Sequence, residues 1–296
     1  MMTMFLAYQS VFDHILVYAL LAMSQYIVMR AGTFSLGTAA FAAIGGYTTG
    51  ILTARVGWPP ALAIVSGVAL ATASSAVMAV PLSRLRGVFQ AVATMAFVQV
   101  VVTVILNWDS LTRGALGINA IPKVATTGWL LAIVAITVAL LHVLGRFSIG
   151  RAMDVIREDE TVAVSLGIRV AQHQRIAMII SGALAGLGGG LFACNSYAIT
   201  AEDFGFSMLN SALAMTVLGG RKSVWGPLVG AAVLVTLPEL FRTFAEYRNV
   251  VQGALLMLVI VYLPDGIADT LRAAVRDRRI RRLSSEDVSV SAAGSR

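Results

Sequence analysis

Charge is scarce in this chain. Only 12% of its 296 residues are charged and 58% are hydrophobic, with a mean hydropathy of +0.82. A soluble domain carries about 25% charged residues, so an ordinary soluble fold is excluded. The expected class is an all-α polytopic membrane protein of about 8–10 spans. Helices are expected because hydrocarbon offers backbone N–H and C=O groups no other partner. Cysteine is nearly missing. Cys194 stands alone in an apolar run, so no intramolecular disulfide can form and packing is its expected role.

Other absences narrow the function. No Lys or Arg precedes Arg30. A cleavable signal peptide needs a basic leader, so the first apolar run is read as a retained span. No Gly-x-x-x-x-Gly-Lys-Ser/Thr loop occurs, so the chain does not bind ATP by that route. No His-Glu-x-x-His and no paired cysteines suggest a metal, and His14, His142 and His173 are scattered. Carboxylates inside spans are few, with Asp13 near the start of the first and Glu239 near the end of another. Ion-coupled carriers place charged groups at mid-membrane. An ion-coupled secondary transporter is therefore the alternative reading, and an integral-membrane enzyme a further one. Uphill work by this chain needs power from elsewhere.

Candidate spans are 8–29, 35–53, 61–81, 88–107, 128–145, 175–197, 206–220, 225–241 and 250–264. The run 206–220 is short and suits a broken or re-entrant helix. Basic residues favour the cytoplasmic side. With the N-terminus outside and the C-terminus inside, 17 of the 22 basic residues fall in cytoplasmic segments. The five left outside are Arg55, Arg113, Lys123, Arg242 and Arg248. The net charge of +7 thus reflects topology rather than nucleic-acid binding, with its densest cluster from Arg272 to Arg282. Residues 1–271 are read as one transmembrane domain and 272–296 as a basic, disordered cytoplasmic tail. No internal repeat is evident. Gly182, Gly186 and Gly190 recur every four residues and predict a close helix contact. Gly46 with Gly50, and Gly226 with Gly230, do the same.

One long charged segment, 146–175, interrupts the apolar pattern. Charges there exclude burial in hydrocarbon. Read as a helix or helix pair, it places Ile149, Met153, Ile156, Ala163 and Leu166 on one side. Arg151, Asp154, Glu158 and Thr161 fall on the other, and Gly167 suits a C-cap with reversal at Ile168. An interfacial helix on lipid is one reading. The run Glu158-Asp159-Glu160 opposes it, since the cytoplasmic leaflet is itself negative. Docking of a soluble protein fits better.

Four blocks, in order, carry a family resemblance. They are Gly32-Thr-Phe-Ser-Leu-Gly-Thr-Ala-Ala-Phe-Ala-Ala-Ile-Gly-Gly-Tyr47, Leu85-Arg-Gly-Val-Phe-Gln-Ala-Val-Ala-Thr-Met-Ala-Phe97, Gly150-Arg-Ala-Met-Asp-Val-Ile-Arg-Glu-Asp-Glu160 with Leu166-Gly-Ile168, and Leu218-Gly-Gly220 with Ser223-Val-Trp-Gly-Pro-Leu-Val-Gly-Ala231. Together they make the chain, to about residue 275, resemble the LivM-type permease subunits of branched-chain amino acid ABC importers.

The resemblance implies an ATP-driven importer of the bacterial inner membrane. A second permease subunit pairs with this one, normally a shorter sister. Two cytoplasmic ATP-binding subunits dock on the coupling loops, and a periplasmic solute-binding protein delivers cargo. ATP stays with the partner subunits, so no cofactor is expected here. Arg157, Glu158, Asp159, Glu160, Leu166 and Gly167 map to the ATPase-coupling segment. Ser35, Leu36, Gly37 and Thr38 map to the early block and are expected along the pathway. Polar residues inside spans, Gln90, Thr94, Gln99, Asn210 and Thr216, are further pathway candidates, with interhelical hydrogen bonding as the other role. The chain departs from the family pattern at Thr33, Thr38, Arg113 and Arg221-Lys222. Members of the family carry urea and short amides as well as amino acids, so the solute stays open.

Overall fold

The computed structural model describes residues 2–123, 126–240, 253, 257 and 266–270. In chain order the helices are α1 (Met2–Arg30), α2 (Thr38–Ala54), α3 (Pro60–Leu82), α4 (Val88–Asn107), α5 (Asp109–Thr112) and α6 (Thr127–Arg146). Then follow α7 (Ser148–Glu158), α8 (Glu160–Ser165), α9 (Val170–Ser196), α10 (Phe206–Gly219) and α11 (Gly226–Leu240). Among the described residues there is no strand, only an isolated antiparallel bridge between Ile118 and Ile199. Five helical stretches are long and apolar enough to cross a membrane: Gln9–Arg30, α3, α4, α6 and α9. The fold is all-α and polytopic, as expected.

Eight expected spans coincide with α1, α2, α3, α4, α6, α9, α10 and α11. The ninth, 250–264, lies outside the described residues apart from Gly253 and Met257, and the tail 272–296 lies wholly outside them. The first span starts at Met2, not 8, and two further starts differ from expectation. The second span starts at Thr38, not 35, because the chain turns at Gly32 (φ +69°) and stays non-helical through Gly37. The sixth starts at Val170, not 175, so α9 carries an extra turn beyond the apolar run. The seventh is a helix of 14 residues that follows a loop folded inward. In that loop Phe204 is fully buried against Gly46 and beside the rings of Tyr47 and Phe192.

The core forms where α9 crosses α1, α2 and α3. Small residues permit the approach, since packing rather than the hydrophobic effect drives helix association in lipid. A side chain at Gly182 would overlap Ser75, one at Gly186 would overlap Ala71, and one at Gly45 would overlap the backbone of Gly186. The glycine face predicted from spacing is therefore a close contact. The α10–α11 pair repeats the device, since a Cβ at Gly230 would strike the carbonyl of Met215. Hydrogen bonds stitch the same crossings. Ser24 Oγ donates to the Ser181 carbonyl at 2.9 Å, and Thr216 Oγ1 donates to the Ala22 carbonyl at 3.0 Å.

The loops sort to two ends. At one, Arg86 meets Glu160, Arg175 meets Ser83, and Asp269 accepts from Lys222 N at 2.8 Å. This is the candidate coupling end, where the α7–α8 pair lies. At the far end, Thr127 Oγ1 donates to Asp13 at 2.7 Å and Arg55 donates to the Ser110 carbonyl at 2.7 Å. There Ile118, Ile121, Ile199 and Phe204 are buried over α2, the isoleucines against Gly50. Paired backbone bonds between Ile118 and Ile199, and one from Ile121 N to the Tyr197 carbonyl, hold these loops together. The described non-glycine residues with left-handed φ, Arg113, Ala120 and Tyr197, all lie in these far-end loops.

Candidate coupling face and translocation site

The charged segment folds as a helix pair. Between α7 and α8 the chain extends at Asp159 (φ −155°, ψ 116°), whose side chain caps α8. Its Oδ1 accepts from Thr161 N at 2.7 Å and Val162 N at 3.2 Å. The Val162 and Thr161 amides hold the Asp159 carboxyl below its ordinary pKa, because they stabilise the anion. After α8, Gly167 takes φ +76°. Gly167 N donates to the Val164 carbonyl and Ile168 N to that of Ala163, which satisfies two orphan carbonyls.

Ile156, Ala163 and Val170 form a small core under the pair, with Val155 and Ile168 packed against it. Met153 joins the main core. The sequence reading put Leu166 on that apolar side. The structure corrects this: as the C-cap of α8 it points outward, 67% exposed, near Val162 and Val164, which are also exposed. The outer surface thus combines Glu158, Asp159 and Thr161 with three aliphatic side chains. Such a mixed surface suits a soluble protein better than lipid headgroups.

Ion pairs tie this pair to the bundle. Arg30, the last residue of α1, donates to Asp154 of α7 through Nε at 2.7 Å and Nη2 at 2.6 Å. The two-pronged contact fixes orientation as well as distance. Arg157 lies 3.6 Å from Asp154, donates to Glu158 at 2.9 Å and reaches the Arg221 carbonyl between α10 and α11 at 3.3 Å. Arg86 pairs with Glu160 at 3.1 Å. The segment therefore touches α1, the α3–α4 loop and the α10–α11 loop at once. The Arg30–Asp154 link was missed by the sequence reading. Its signal was an arginine ending a long apolar run and an acid on the polar side of the charged loop.

The second site is the break between α1 and α2. Gln25 Nε2 donates to the Ser35 carbonyl at 2.8 Å, and Thr38 Oγ1 donates to Gln25 Oε1 at 2.6 Å. Leu36 N donates to Thr94 Oγ1 of α4 at 2.9 Å, and Gly37 N donates to Ser35 Oγ at 3.2 Å. Ser35, Gly37, Thr38 and Thr94 are thus brought together and buried, with Gln25 as a member not singled out from sequence. Gln90 lies one turn before Thr94 on α4. Its Nε2, and Oγ1 of Thr33, are buried without a hydrogen-bond partner among the described residues. Non-helical backbone at membrane depth is tolerated where protein or a cavity surrounds it. Broken helices mark solute sites in many transporters. Asn210 stands apart, exposed on α10 one residue after Leu209, which packs with Ala39 and Ala40 of α2. Thr216 takes the interhelical role. Among the described residues, no three His, Cys, Asp or Glu side chains gather as a metal site.

Comparisons with known proteins fit this layout. Over most of its length the chain is similar to the high-affinity branched-chain amino acid transport system permease protein LivM of Escherichia coli K12. The two are 29% identical, over 88% of this chain and 70% of that protein. The permease protein LivH of the same named system from Salmonella typhimurium is 32% identical over 46% of this chain and 44% of its own length. The autoinducer 2 import system permease protein LsrC of Yersinia enterocolitica is 29% identical over 54% of this chain and 44% of its own. No solved structure matches the chain. Residues 9–260 match the family described as the permease component of the branched-chain amino acid transport system, and the chain belongs to that family.

Proposed function

We propose that this chain is one of two permease subunits of an ATP-driven importer for branched-chain or other hydrophobic amino acids or related small solutes. It sits in the bacterial inner membrane with the N-terminus outside and the coupling end in the cytoplasm. The observation that carries the reading is the α7–α8 pair, a mixed acidic and aliphatic surface fastened to three parts of the bundle. Two cytoplasmic ATP-binding subunits dock there through the face of Glu158, Asp159, Glu160, Leu166 and Gly167. Arg157 lies behind that face and links it to Asp154 and Arg221. A solute-binding protein delivers cargo to the far end.

ATP-driven closure of the docked subunits displaces α7. Arg30 carries that displacement into α1 and so to Gln25, Ser35 and Thr38 at the break. Solute passes beside this break, with Gly37, Gln90, Thr94 and Asn210 along its route. The two access states differ in their contacts at the docking face, which is how nucleotide binding biases them.

The test is the double substitution Glu158→Lys and Glu160→Lys. Folded protein should still reach the membrane, while co-purification of the ATP-binding subunits and amino acid uptake are lost. Uptake at the wild-type level would show that docking lies elsewhere.

A further inference from the structure

Two arginines near the coupling end have no counter-charge. Arg151 of α7 and Arg169, just before α9, line a groove of about 600 Å³ between the two helices. Ile149, Val155, Ile168 and Ile176 give it an apolar wall, and among the described residues no acid lines it. Both arginines are exposed, and neither forms an ion pair among the described residues. Arg151 donates one bond, to the Arg146 carbonyl at 2.8 Å. The hollow on the other side of Arg169 differs. There Arg86 pairs with Glu160, and Arg175 donates to Ser83 Oγ at 2.8 Å. Free cations beside an apolar wall suit a ligand that is anionic at one end and apolar at the other.

The groove continues along a membrane-spanning helix. Ile176 lies in its wall and heads a strip on α9. Between Ile176 and Asn195, only Ile176, Ile179, Ile180, Ala183 and Leu187 escape full burial. Spacings of three and four put them on one face. The other sides of α9 are covered by α1 at Ser181, α3 at Gly182 and α2 at Gly189. From Ile176 to Leu187 the strip runs about 16 Å at 1.5 Å per residue. The hydrocarbon of one leaflet is about 15 Å thick, half of the bilayer core.

We propose that an anionic phospholipid occupies this groove, its phosphate held by Arg151 and Arg169 and one acyl chain lying along the α9 strip. A free phosphate or an acidic protein segment satisfies the arginines but leaves the strip bare. The match between strip and leaflet selects the lipid. This site is separate from the solute route, and it rests on the chain spanning a membrane rather than on the importer reading. Bound there, the lipid braces α7 against α9 beside the docking face.

The test uses the full chain, purified in mild detergent with the subunits that accompany it and then stripped of lipid. It is titrated with phosphatidylglycerol, with phosphatidylcholine and with inorganic phosphate. Tm is followed, and bound lipid is read by mass spectrometry of the intact protein. Phosphatidylglycerol should raise Tm and stay bound, while the other two do neither. Arg151→Gln with Arg169→Gln should fold normally, since both side chains are exposed. It should weaken phosphatidylglycerol binding roughly thirty-fold, the factor for two arginines at a membrane surface. Arg55→Gln with Arg113→Gln, an equal change of charge at the far end, should leave binding intact. Ile180→Trp fills the strip and should displace the lipid with both arginines present. Equal effects of phosphatidylcholine, or unchanged binding in the Arg151 and Arg169 double variant or in Ile180→Trp, overturn the proposal. Stabilisation by phosphate alone makes this a free-anion site and overturns it too. So does lipid that binds the chain by itself but is missing from its complex with ATP-binding subunits, which gives the groove to protein. Absence of those subunits bears on the importer reading only, and the lipid titration stands without them.

Discussion

The two ends of this molecule are held by different forces. At the coupling end, separate segments meet through charge: Arg30 with Asp154, Arg157 with Asp154, and Arg86 with Glu160. At the far end, loops close over α2 through buried Ile118, Ile121, Ile199 and Phe204 and a few backbone bonds. Charge pairs are directional, so a shift of α7 is passed to one defined point on α1. An apolar cover has no such direction and separates as a unit. Between the ends, the close glycine contacts of α9 with α1, α2 and α3 form the rigid body of the bundle.

The largest effect is expected where the rigid body is tightest. Gly186→Leu forces a side chain into Ala71 at the crossing of α2, α3 and α9. Overpacking costs about 1–3 kcal/mol in a core that yields, and more in one that does not. This core is backbone against backbone, so monodisperse protein should largely disappear on size-exclusion chromatography. Gly128→Leu, where nothing lies within 4 Å of the added Cβ, should leave the yield unchanged. Equal yields from the two variants would remove the rigid body from the comparison.

The next effect separates the ends. Asp154→Asn leaves the Arg30 guanidinium, with its side chain 8% exposed, without a counter-charge. Breaking a fully buried pair costs roughly 3–5 kcal/mol. Asp154 is 37% exposed, so the loss falls below that range. The protein should fold with a lower Tm, retain ATPase activity and lose uptake, because the docked subunits no longer pull α1. Exchanging the pair, Arg30→Asp with Asp154→Arg, should recover part of the uptake. At the far end, Arg55→Ala removes an exposed hydrogen bond to Ser110, worth about 1 kcal/mol or less. It should leave coupling intact. If Asp154→Asn transports normally, charge does not carry the motion.

Much of this was legible in the sequence, for stated reasons. Hydropathy located the described spans because length and apolarity are set by the bilayer. Glycine spacing located the α9 contact because only a bare backbone permits it. The helix pair was readable because Gly167 and the acids at 158–160 punctuate it. What escaped was set by tertiary geometry. Leu166 fits the apolar stripe of one continuous helix, but the extended residue Asp159 breaks that helix and rotates α8, turning Leu166 outward. Gln25 and Arg30 were hidden inside or at the end of an apolar run, and their partners lie 10–13 and 124 positions away. Residues 35–37 of the break were absorbed into the second span because Leu36 and the small residues around it are as apolar as a helix interior. Only the turn at Gly32 and the bonds to Gln25 and Thr94 show why they are not one.

The smallest effect concerns Asp159, on the exposed surface of the coupling end. Its carboxyl titrates below the ordinary carboxylate range because the Val162 and Thr161 amides bind the anion. A group whose pKa is lower folded than unfolded stabilises the fold above its unfolded value and stops doing so as pH falls through the folded value. The cap on α8 is therefore complete at neutral pH and fades only in acid. Asp159→Ala should speed amide exchange at Val162–Ser165 near pH 7 and leave α9 untouched. Asp159→Asn keeps an acceptor oxygen for the same amides but cannot titrate, so it should retain protection and lose its acid dependence. If Asn behaves as Ala does, the charge rather than the hydrogen bond orders α8. The coupling end would then depend on charge even where it has no partner of opposite sign, which would make its contrast with the far end sharper.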